Sequence, residues 1–204
     1  MGFYAQVIVP LLCDFGLDRP FVARHRRELL AHAAGNILEI GFGTGLNLSH
    51  YPPHVRKLTA VDPNAGMYRR ARGRVKRAGA EVDRRLLGGE RLPFEDGTFD
   101  CVVSTFTLCS IEGVEQALRE VCRALKPGGK FLFLEHGLSP DPKVRKWQRR
   151  LNGLQMRLAG GCHLDRDMRS LVSAQPFASV RVDEFYMEKV PRTHGYIYRG
   201  VATR

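Results

Sequence analysis

The feature that most constrains the fold of this chain is a run of alternating glycines directly after a short apolar segment. Residues 36–48 read Asn-Ile-Leu-Glu-Ile-Gly-Phe-Gly-Thr-Gly-Leu-Asn-Leu, which places glycines at positions 41, 43 and 45. Glycine has no Cβ, so it adopts unusual backbone angles and lets a ligand approach main-chain N–H groups. The pattern predicts a strand at 37–40, a glycine loop and a helix near 45–50, a unit that holds a nucleotide-like cofactor.

The spacing of these glycines distinguishes between classes of cofactor. The dinucleotide fingerprint Gly-x-Gly-x-x-Gly would place its third glycine at position 46, where this chain has Leu46. The pattern here is Glu-x-Gly-x-Gly-x-Gly, with Glu39 inside the strand. The sequence therefore argues against a dinucleotide.

Strand-like and helix-like segments alternate along the chain. Such alternation produces a parallel sheet with helices on both faces, and two final strands without a helix between them form an antiparallel hairpin. We expect an α/β protein with one domain over 1–204: an N-terminal helical lid (1–34), a cofactor-binding core (35–136), and substrate-side helices with the final hairpin (137–204). The predicted strands cover 36–40, 57–61, 81–86, 99–104, 131–135, 180–186 and 196–202. The predicted helices lie at 3–15 with a kink at Pro10, at 18–34, and near 45–50, 64–78, 114–124, 147–158 and 165–173.

The chain is strongly basic, with a formal net charge of +11. The excess is concentrated at 24–27, 69–77 and 143–150, and the simplest interpretation is solvated helix faces. Attraction to an anionic membrane surface or an acidic substrate is an alternative, so peripheral membrane contact through these helices stays open. Aromatic residues other than Trp147 do not accompany the clusters, which argues against a nucleic-acid partner.

Cysteine usage and hydropathy bear on the compartment. The five cysteines are scattered and contain no Cys-x-x-Cys pair, which argues against a disulfide framework and against a zinc site. No apolar run reaches the ~18–20 residues of a membrane span. The first residues lack the features of a signal peptide. We therefore expect a cytoplasmic protein without a bound metal.

Two acidic residues stand where they could contact a cofactor. Asp62 ends the second predicted strand, where a carboxylate can accept hydrogen bonds from both hydroxyls of a ribose. Alternatively, Asp62 caps the following helix. Glu39 lies in an otherwise apolar strand, so a buried carboxylate there needs a partner such as a cationic ligand group or backbone amides. Its alternative is a strand-end acid that reaches solvent.

Further motifs follow the glycine loop in an order typical of one superfamily. They are Val61-Asp62, Leu92-Pro93-Phe94 with Asp96-Gly97 and Phe99-Asp100, and Leu125-Lys126-Pro127-Gly128-Gly129. With Leu38–Gly45, they resemble the successive motifs of class I S-adenosylmethionine-dependent methyltransferases over about residues 36–136. The resemblance implies a Rossmann-like fold with a mostly parallel seven-stranded sheet, and S-adenosylmethionine as cofactor. Within the superfamily the chain is similar to the quinone-methylating subgroup.

Three other stretches narrow the resemblance. Thr107-Leu108-Cys109-Ser110-Ile111, Leu134-Glu135-His136 and Gly160-Gly161-Cys162-His163-Leu164, with Gly195-Tyr196 near the end, resemble the small thiol S-methyltransferases related to membrane-associated methyltransferase-like proteins of animals. This match implies that the methyl acceptor is a thiol.

The resemblance also implies cofactor-binding roles for individual residues. Gly41, Gly43 and Gly45 would line the methionine and ribose part of the cofactor, and Glu39 would face its ammonium group. Asp62 would hold the ribose hydroxyls, with Pro63 and Asn64 flanking the adenine. Gly89 and Glu90 would lie along the adenine edge, and Thr107 or Leu108 would close the pocket near the sulfonium. Superfamily members often carry an acid where this chain has Leu87-Gly88-Gly89. Main-chain groups would then replace the missing acceptor for the adenine amine.

The candidate catalytic and substrate-binding residues lie outside the glycine loop. Methyl transfer from a sulfonium is an in-line displacement, and a base is needed only for a protonated nucleophile. His136 follows the fifth strand and His163 follows two glycines, so either could act as a base or orient the substrate; the alternative is a structural role. Cys109 could contact the substrate, although it and Cys162 are more simply packing residues. Tyr4 and the first helix could form a lid over the cofactor.

We therefore expect a methyltransferase that acts on a small, apolar acceptor such as a thiol. Methylation of a quinone precursor or of a phospholipid amine is the alternative within the same enzyme class. A non-catalytic S-adenosylmethionine-binding regulator is the alternative from another class. Methylation of nucleic-acid amino groups is disfavoured, because Ser104-Thr105-Phe106-Thr107 does not match the Asn/Asp-Pro-Pro-aromatic motif of those enzymes.

Overall fold

Seven strands form one sheet in the computed structural model, which describes residues 2–204. The strand order is β3-β2-β1-β4-β5-β7-β6; neighbours among β1 to β5 are parallel, and β7 is antiparallel to both β5 and β6. The strands are β1 (Ile37–Ile40), β2 (Lys57–Val61), β3 (Glu81–Arg85), β4 (Phe99–Thr105), β5 (Leu125–His136), β6 (Ser179–Tyr186) and β7 (Tyr196–Thr203). The predicted fold class, with its mostly parallel sheet and antiparallel C-terminal hairpin, is confirmed.

The helices pack around this sheet. A π-helical turn at Tyr4–Ile8 continues directly into α1, and this change of helix type lies beside Pro10, which has no N–H to donate to the preceding turn. The α-helices are α1 (Val9–Leu17), α2 (Pro20–Leu30), α3 (Ala65–Arg77), α4 (Val114–Ala124), α5 (Pro142–Leu158) and α6 (Met168–Ser173). Within residues 2–204, no helix has the length and apolar character needed to cross a bilayer.

The boundaries of two helices differ from the prediction because of their caps. Helix α5 begins at Pro142 rather than near 147, since the Asp141 side chain accepts a hydrogen bond from Lys143 N. Helix α6 begins at Met168, where Asp167 caps the backbone N–H of Ser170. An acidic N-cap satisfies N–H groups that have no partner within the helix.

The predicted helix near 45–50 is wrong, because residues 46–50 form turns. Leu48 N bonds to Gly45 O and His50 N bonds to Asn47 O, both over three residues. Gly45 has a left-handed φ of +78°. The Asn47 side chain points inward, where it is buried. These contacts prevent the short segment from forming an α-helix. The prolines at 52 and 53 would also end a helix here.

Two apolar layers cover the two faces of the sheet and leave the edge at the carboxyl ends of the parallel strands free for a site. On one face, Leu118 and Val121 of α4 pack in the core; on the other, Leu29 and Leu30 of α2 do so. Each fully buried side chain of this size stabilises the fold by roughly 1.5–3 kcal/mol. Strand order reverses between β1 and β4, and ligands of open α/β sheets bind beyond the strand ends at such a point.

Candidate functional site

A cavity of about 490 Å³ opens at the carboxyl edge of the sheet beside β1, β2 and β4. This volume lies in the range typical of small-molecule sites. Of the predicted cofactor-binding residues, the structure brings together at the cavity Glu39, Gly41, Gly43, Asp62, Pro63, Asn64, Gly89, Glu90 and Thr107. Gly45 and Leu108 do not line it.

Two glycines shape the floor of the cavity. Gly41 has a φ of +71°, and a Cβ at this position would lie 2.0 Å from Thr107 Oγ1. Gly43 has a φ of +55°, and the nearest atom to a Cβ there is the Gly41 carbonyl oxygen at 3.8 Å. A side chain at 41 is excluded by the β4 loop, while the space above Gly43 is open to a ligand.

The Asp62 carboxylate is held at the end of β2 by two backbone amides. Its Oδ2 accepts from Gly43 N at 2.8 Å, and its Oδ1 accepts from Asn64 N at 2.8 Å. Burial raises the pKa of Asp62 from its ordinary value, and these two bonds oppose that rise. The cap of α3 is Asn64, whose side chain accepts from Gly66 N. Asp62 is therefore not the helix cap, and each of its oxygens can accept a further hydrogen bond from a ligand.

A buried polar network lies at the inner end of the cavity. Glu39 accepts from Asn47 Nδ2 at 3.0 Å and from Tyr51 OH at 2.7 Å. Arg26 Nη1 donates to Asn47 Oδ1 and to Thr105 Oγ1, each at 2.7 Å. Burial raises the pKa of Glu39 to about 7. Glu39 is not a strand-end acid in solvent, because only 1% of it is exposed.

Arg26 is a cavity residue that the sequence analysis missed. Its guanidinium is buried and lines the cavity together with Glu39. Arg26 Nε has no hydrogen-bond partner among residues 2–204. The cavity therefore offers a cation and an acid at one end, a combination suited to a zwitterionic amino-acid group. Arg26 sits in a run of basic residues, and only its helical phase with the buried Val22, Leu29 and Leu30 distinguishes it.

The N-terminal helix covers one side of the cavity, where Ala5, Val9, Cys13 and Leu17 line it. Contacts at both ends of this helix hold it in place. Asn64 Nδ2 donates to Ala5 O at 2.8 Å. Asp14 accepts from Thr44 Oγ1 and forms ion pairs with Arg70 and, at 3.2 Å, with Arg74. Tyr4 does not line the cavity; its hydroxyl donates to Leu158 O at 2.7 Å.

Glu135 is a second residue that the sequence analysis did not assign. Its carboxylate is fully buried and accepts from Ser104 Oγ and from the backbone N–H groups of Thr107 and Leu108, at 2.9–3.1 Å. Burial raises the pKa of Glu135, and the backbone hydrogen bonds oppose this rise. Glu135 fixes the loop after β4 that carries Thr107 to the cavity. Leu108 contributes its backbone to this arrangement, while its side chain packs in the core.

His136, Cys109 and Cys162 lie together behind the cavity wall. His136 Nε2 is 2.8 Å from Cys162 Sγ, and the two sulfur atoms are 3.7 Å apart. Hydrogen bonds from Cys109 and then from His136 hold the pKa of the Cys162 thiol well below its usual range. Burial alone would lower the pKa of His136, but its contact with Cys162 raises it. None of the three lines the cavity, although Ser110, next to Cys109, and Gly160, two residues before Cys162, do.

His163 also lies outside the cavity lining. Its backbone N–H donates to Cys109 O at 2.8 Å, and its ring Nδ1 is 3.5 Å from Asn152 Nδ2. Burial lowers its pKa. The catalytic and substrate-binding roles of His136 and His163, and the substrate-binding roles of Tyr4 and Cys109, stay predictions.

Large apolar side chains are exposed on α5 and on the N-terminal helix. They include Phe3, Leu12, Phe15, Trp147 and Leu154. Arg150 stacks on the Trp147 ring at 5.4 Å from its centroid, so basic and apolar groups share one face of α5. Contact with a membrane surface stays a prediction.

Comparison with known proteins identifies several similar chains. A family model described as a methyltransferase domain matches residues 38–133. The human thiol S-methyltransferase TMT1A is 32% identical over 192 residues, covering 87% of this chain and 78% of that protein. The ubiquinone/menaquinone biosynthesis C-methyltransferase UbiE of Rubrivivax gelatinosus is 35% identical over 126 residues, covering 61% of this chain and 48% of that one.

A solved structure supports the fold independently. The N-methyltransferase NodS from Bradyrhizobium japonicum, solved in complex with S-adenosyl-L-homocysteine, superposes with a TM-score of 0.67 at 19% identity. The match covers 92% of this chain and 89% of that one. At this identity the likeness concerns the fold.

Proposed function

The chain belongs to the S-adenosylmethionine-dependent methyltransferases, and from this premise we propose that it methylates a small, apolar thiol. The observation that carries the choice of acceptor is the similarity to TMT1A, a protein named as a thiol S-methyltransferase. That similarity covers 87% of this chain, well beyond the methyltransferase domain match at 38–133. It therefore includes segments outside the cofactor-binding core, where an acceptor site is expected.

We propose that the cavity binds S-adenosylmethionine, whose sulfonium supplies an activated methyl group. Three features support this assignment. Asp62 presents two preoriented carboxylate oxygens, which suit two ribose hydroxyls. Arg26 and Glu39 offer opposite charges for the carboxylate and ammonium groups of a methionine. The backbone at Gly43 is open to a ligand. The Gly89 and Glu90 segment lines the remaining wall, where the adenine is expected.

Because the methyl group is already activated, the protein has to align the acceptor with it and exclude water from the site. The N-terminal helix supplies the cover, through the apolar residues Val9 and Leu17. A thiol with a pKa of ~8.5 is partly ionised near neutral pH, so it needs less help from a base than a phenol or carbon acid. His136 and His163 are the proposed substrate-side residues. Neither histidine lines the cavity. His136 contacts Cys162, and the backbone N–H of His163 donates to Cys109 O, so both reach the cavity wall through these cysteines.

Methylation of a quinone precursor is the second candidate, favoured by the similarity to UbiE. The basic face of α5 with its exposed Trp147 would suit a lipid-like acceptor, including a phospholipid amine. A regulator that binds S-adenosylmethionine without turnover is the candidate from another class.

A panel of acceptors separates these functions. We expect enzyme and methyl-labelled S-adenosylmethionine to label apolar thiols, and to label quinols and lipid amines far more slowly. The Asp62→Ala variant is the control, because its weaker cofactor binding should sharply reduce any labelling that requires the cavity. Labelling of quinols but not thiols would overturn the proposed acceptor, and labelling of none would favour the regulator.

Cofactor binding should depend on pH through Glu39. Burial raises the pKa of Glu39 to about 7, so its carboxylate loses charge as the pH falls below 7. A ligand ammonium needs that negative charge, so affinity should rise with pH through the pKa of about 7. The rise should be about fivefold from pH 6 to pH 7 and at most about twofold beyond pH 7. Above roughly pH 8 a ligand α-amino group itself deprotonates. Calorimetric titration of S-adenosylhomocysteine across this range measures the profile.

Two variants show whether Glu39 is responsible. Glu39→Gln should bind more weakly and show no rise between pH 6 and pH 7. Glu90→Gln removes another carboxylate that lines the cavity and should keep the wild-type profile. A wild-type affinity that is constant from pH 6 to pH 7 would contradict the contact between Glu39 and the ligand ammonium.

A further inference from the structure

Three potential metal ligands converge behind the wall of the cavity. Cys109 lies in the loop after β4, His136 ends β5, and Cys162 follows α5. One ligand atom from each lies within 4.8 Å of the others, and all three residues are buried. We call them the Cys2His cluster. Lone buried cysteines are common packing residues, but two sulfurs and an imidazole nitrogen this close together form a possible ligand set.

The backbone holds this convergence in place. Gly160 and Gly161 have left-handed φ values of +62° and +90°, which turn the chain back after α5. A backbone hydrogen bond from His163 N to Cys109 O, at 2.8 Å, then joins that turn to the loop after β4. Cys162 thereby faces Cys109 across 53 residues of sequence. The sequence predicts no metal, because its cysteines are scattered and the pairing of Cys109 with Cys162 leaves no local signal.

Two distances within the Cys2His cluster can be compared with those around a tetrahedral zinc ion. The sulfur–sulfur distance matches, and the nitrogen–sulfur distance is shorter. Two thiolates bound to zinc at about 2.3 Å in tetrahedral geometry lie about 3.8 Å apart. Cys109 Sγ and Cys162 Sγ are 3.7 Å apart. A zinc-bound imidazole nitrogen and thiolate lie about 3.5 Å apart. His136 Nε2 and Cys162 Sγ are 2.8 Å apart, the distance of a hydrogen bond with a proton between them. Replacing that proton by an ion requires the two atoms to separate by about 0.7 Å.

We propose that Cys109, His136 and Cys162 bind a zinc ion and leave its fourth position to an exchangeable ligand. Binding Zn²⁺ displaces to solvent the Cys109 thiol proton and the proton shared by His136 and Cys162, and the resulting pair of thiolates neutralises the ion, which a buried site requires. Sets of two cysteines and one histidine occur in zinc sites that keep an open position. Gln155 Nε2, 3.6 Å from Cys162 Sγ, presents an amide to this cluster rather than a fourth anionic ligand.

The proposed site is close in sequence to two residues that line the cavity. Cys109 is next to Ser110, and Cys162 is two residues from Gly160. An ion there would join the β4 loop, the end of β5 and the loop after α5. It would thereby fix the wall on the side where the acceptor is proposed to bind. This inference concerns metal binding alone and does not depend on the identity of the acceptor.

Metal titration of the whole chain tests the inference. Reduced protein, freed of metal by a chelator, should take up one equivalent of Zn²⁺ in competition with a chromophoric chelator. With Co²⁺ in its place, it should develop thiolate-to-cobalt charge-transfer absorption and the visible bands of a tetrahedral ion. Cys109→Ser, Cys162→Ser and His136→Asn should each weaken zinc binding by at least about a hundredfold.

Cys122→Ser is the matched control, because Cys122 is a buried cysteine of α4 outside the cluster. It should bind zinc as the wild type does. Circular dichroism of every variant shows that loss of metal is not loss of the fold. Equal zinc uptake by the wild type and Cys162→Ser, or a cobalt complex without thiolate charge-transfer absorption, would overturn the inference.

Discussion

Replacing Asp62 by alanine is expected to weaken binding of S-adenosylmethionine by between tenfold and several hundredfold. The carboxylate is fixed by Gly43 N and Asn64 N and has acceptor capacity left for a ligand. Each hydrogen bond to a charged group contributes about 1.5–3 kcal/mol. The loss of one bond at the lower figure accounts for about tenfold, and the loss of two bonds that together contribute about 3.5 kcal/mol accounts for several hundredfold. Isothermal titration calorimetry with S-adenosylhomocysteine measures the effect.

Asp62→Asn is the matched control for this variant. It keeps one oxygen acceptor and nearly the same shape but loses the charge, so its affinity should fall between those of the wild type and the alanine variant. Thermal unfolding without ligand separates loss of contact from loss of fold. An unchanged affinity in folded Asp62→Ala would refute the assignment of Asp62 to the ribose.

Gly41→Ala is expected to lower the free energy of unfolding by about 2–5 kcal/mol. A non-glycine residue in the left-handed region costs about 1–2 kcal/mol. The new methyl group would lie 2.0 Å from Thr107 Oγ1 and 2.1 Å from Thr107 Cγ2, and overpacking of this kind costs about 1–3 kcal/mol more. Urea unfolding gives the difference, provided that the slope m is unchanged.

Gly128→Ala is the matched control that shows the backbone part of that loss alone, so the difference between the two variants gives the steric part. Gly128 has a similar φ of +77°, but a Cβ there meets no atom within 4 Å. It should therefore lose only the backbone contribution of about 1–2 kcal/mol. Equal destabilisation in the two variants would mean that Thr107 moves away freely, and that the β4 loop is not held against the glycine loop.

Much of the fold follows from local sequence patterns. The apolar run of β1 followed by alternating glycines predicted a strand and a glycine loop, and the strand is present with the loop beside the cavity. The final hairpin followed from two strands without a helix between them. The helix near 45–50 did not form, because Gly45 adopts a left-handed φ and Asn47 turns inward to Glu39. Local propensity cannot show that a side chain is needed by a buried network elsewhere.

The candidate site divides in the same way. Asp62 and the glycines were predictable because a strand end and a loop place them at the sheet edge. Arg26 was hidden in a basic run, although its phase on α2 matches the buried face of that helix. The partnership of Cys109 with Cys162 depends on two loops that meet only in the folded chain. Contacts of this kind can be identified only from the tertiary structure.

A crystal structure of the chain with S-adenosylhomocysteine tests the central claim most directly. We expect one molecule in the cavity, with its ribose hydroxyls on Asp62, its amino-acid group between Glu39 and Arg26, and its adenine along the Gly89 segment. Its sulfur should face Thr107, with open space beyond it for an acceptor. A ligand bound outside this cavity, or one whose ribose does not contact Asp62, would contradict the account.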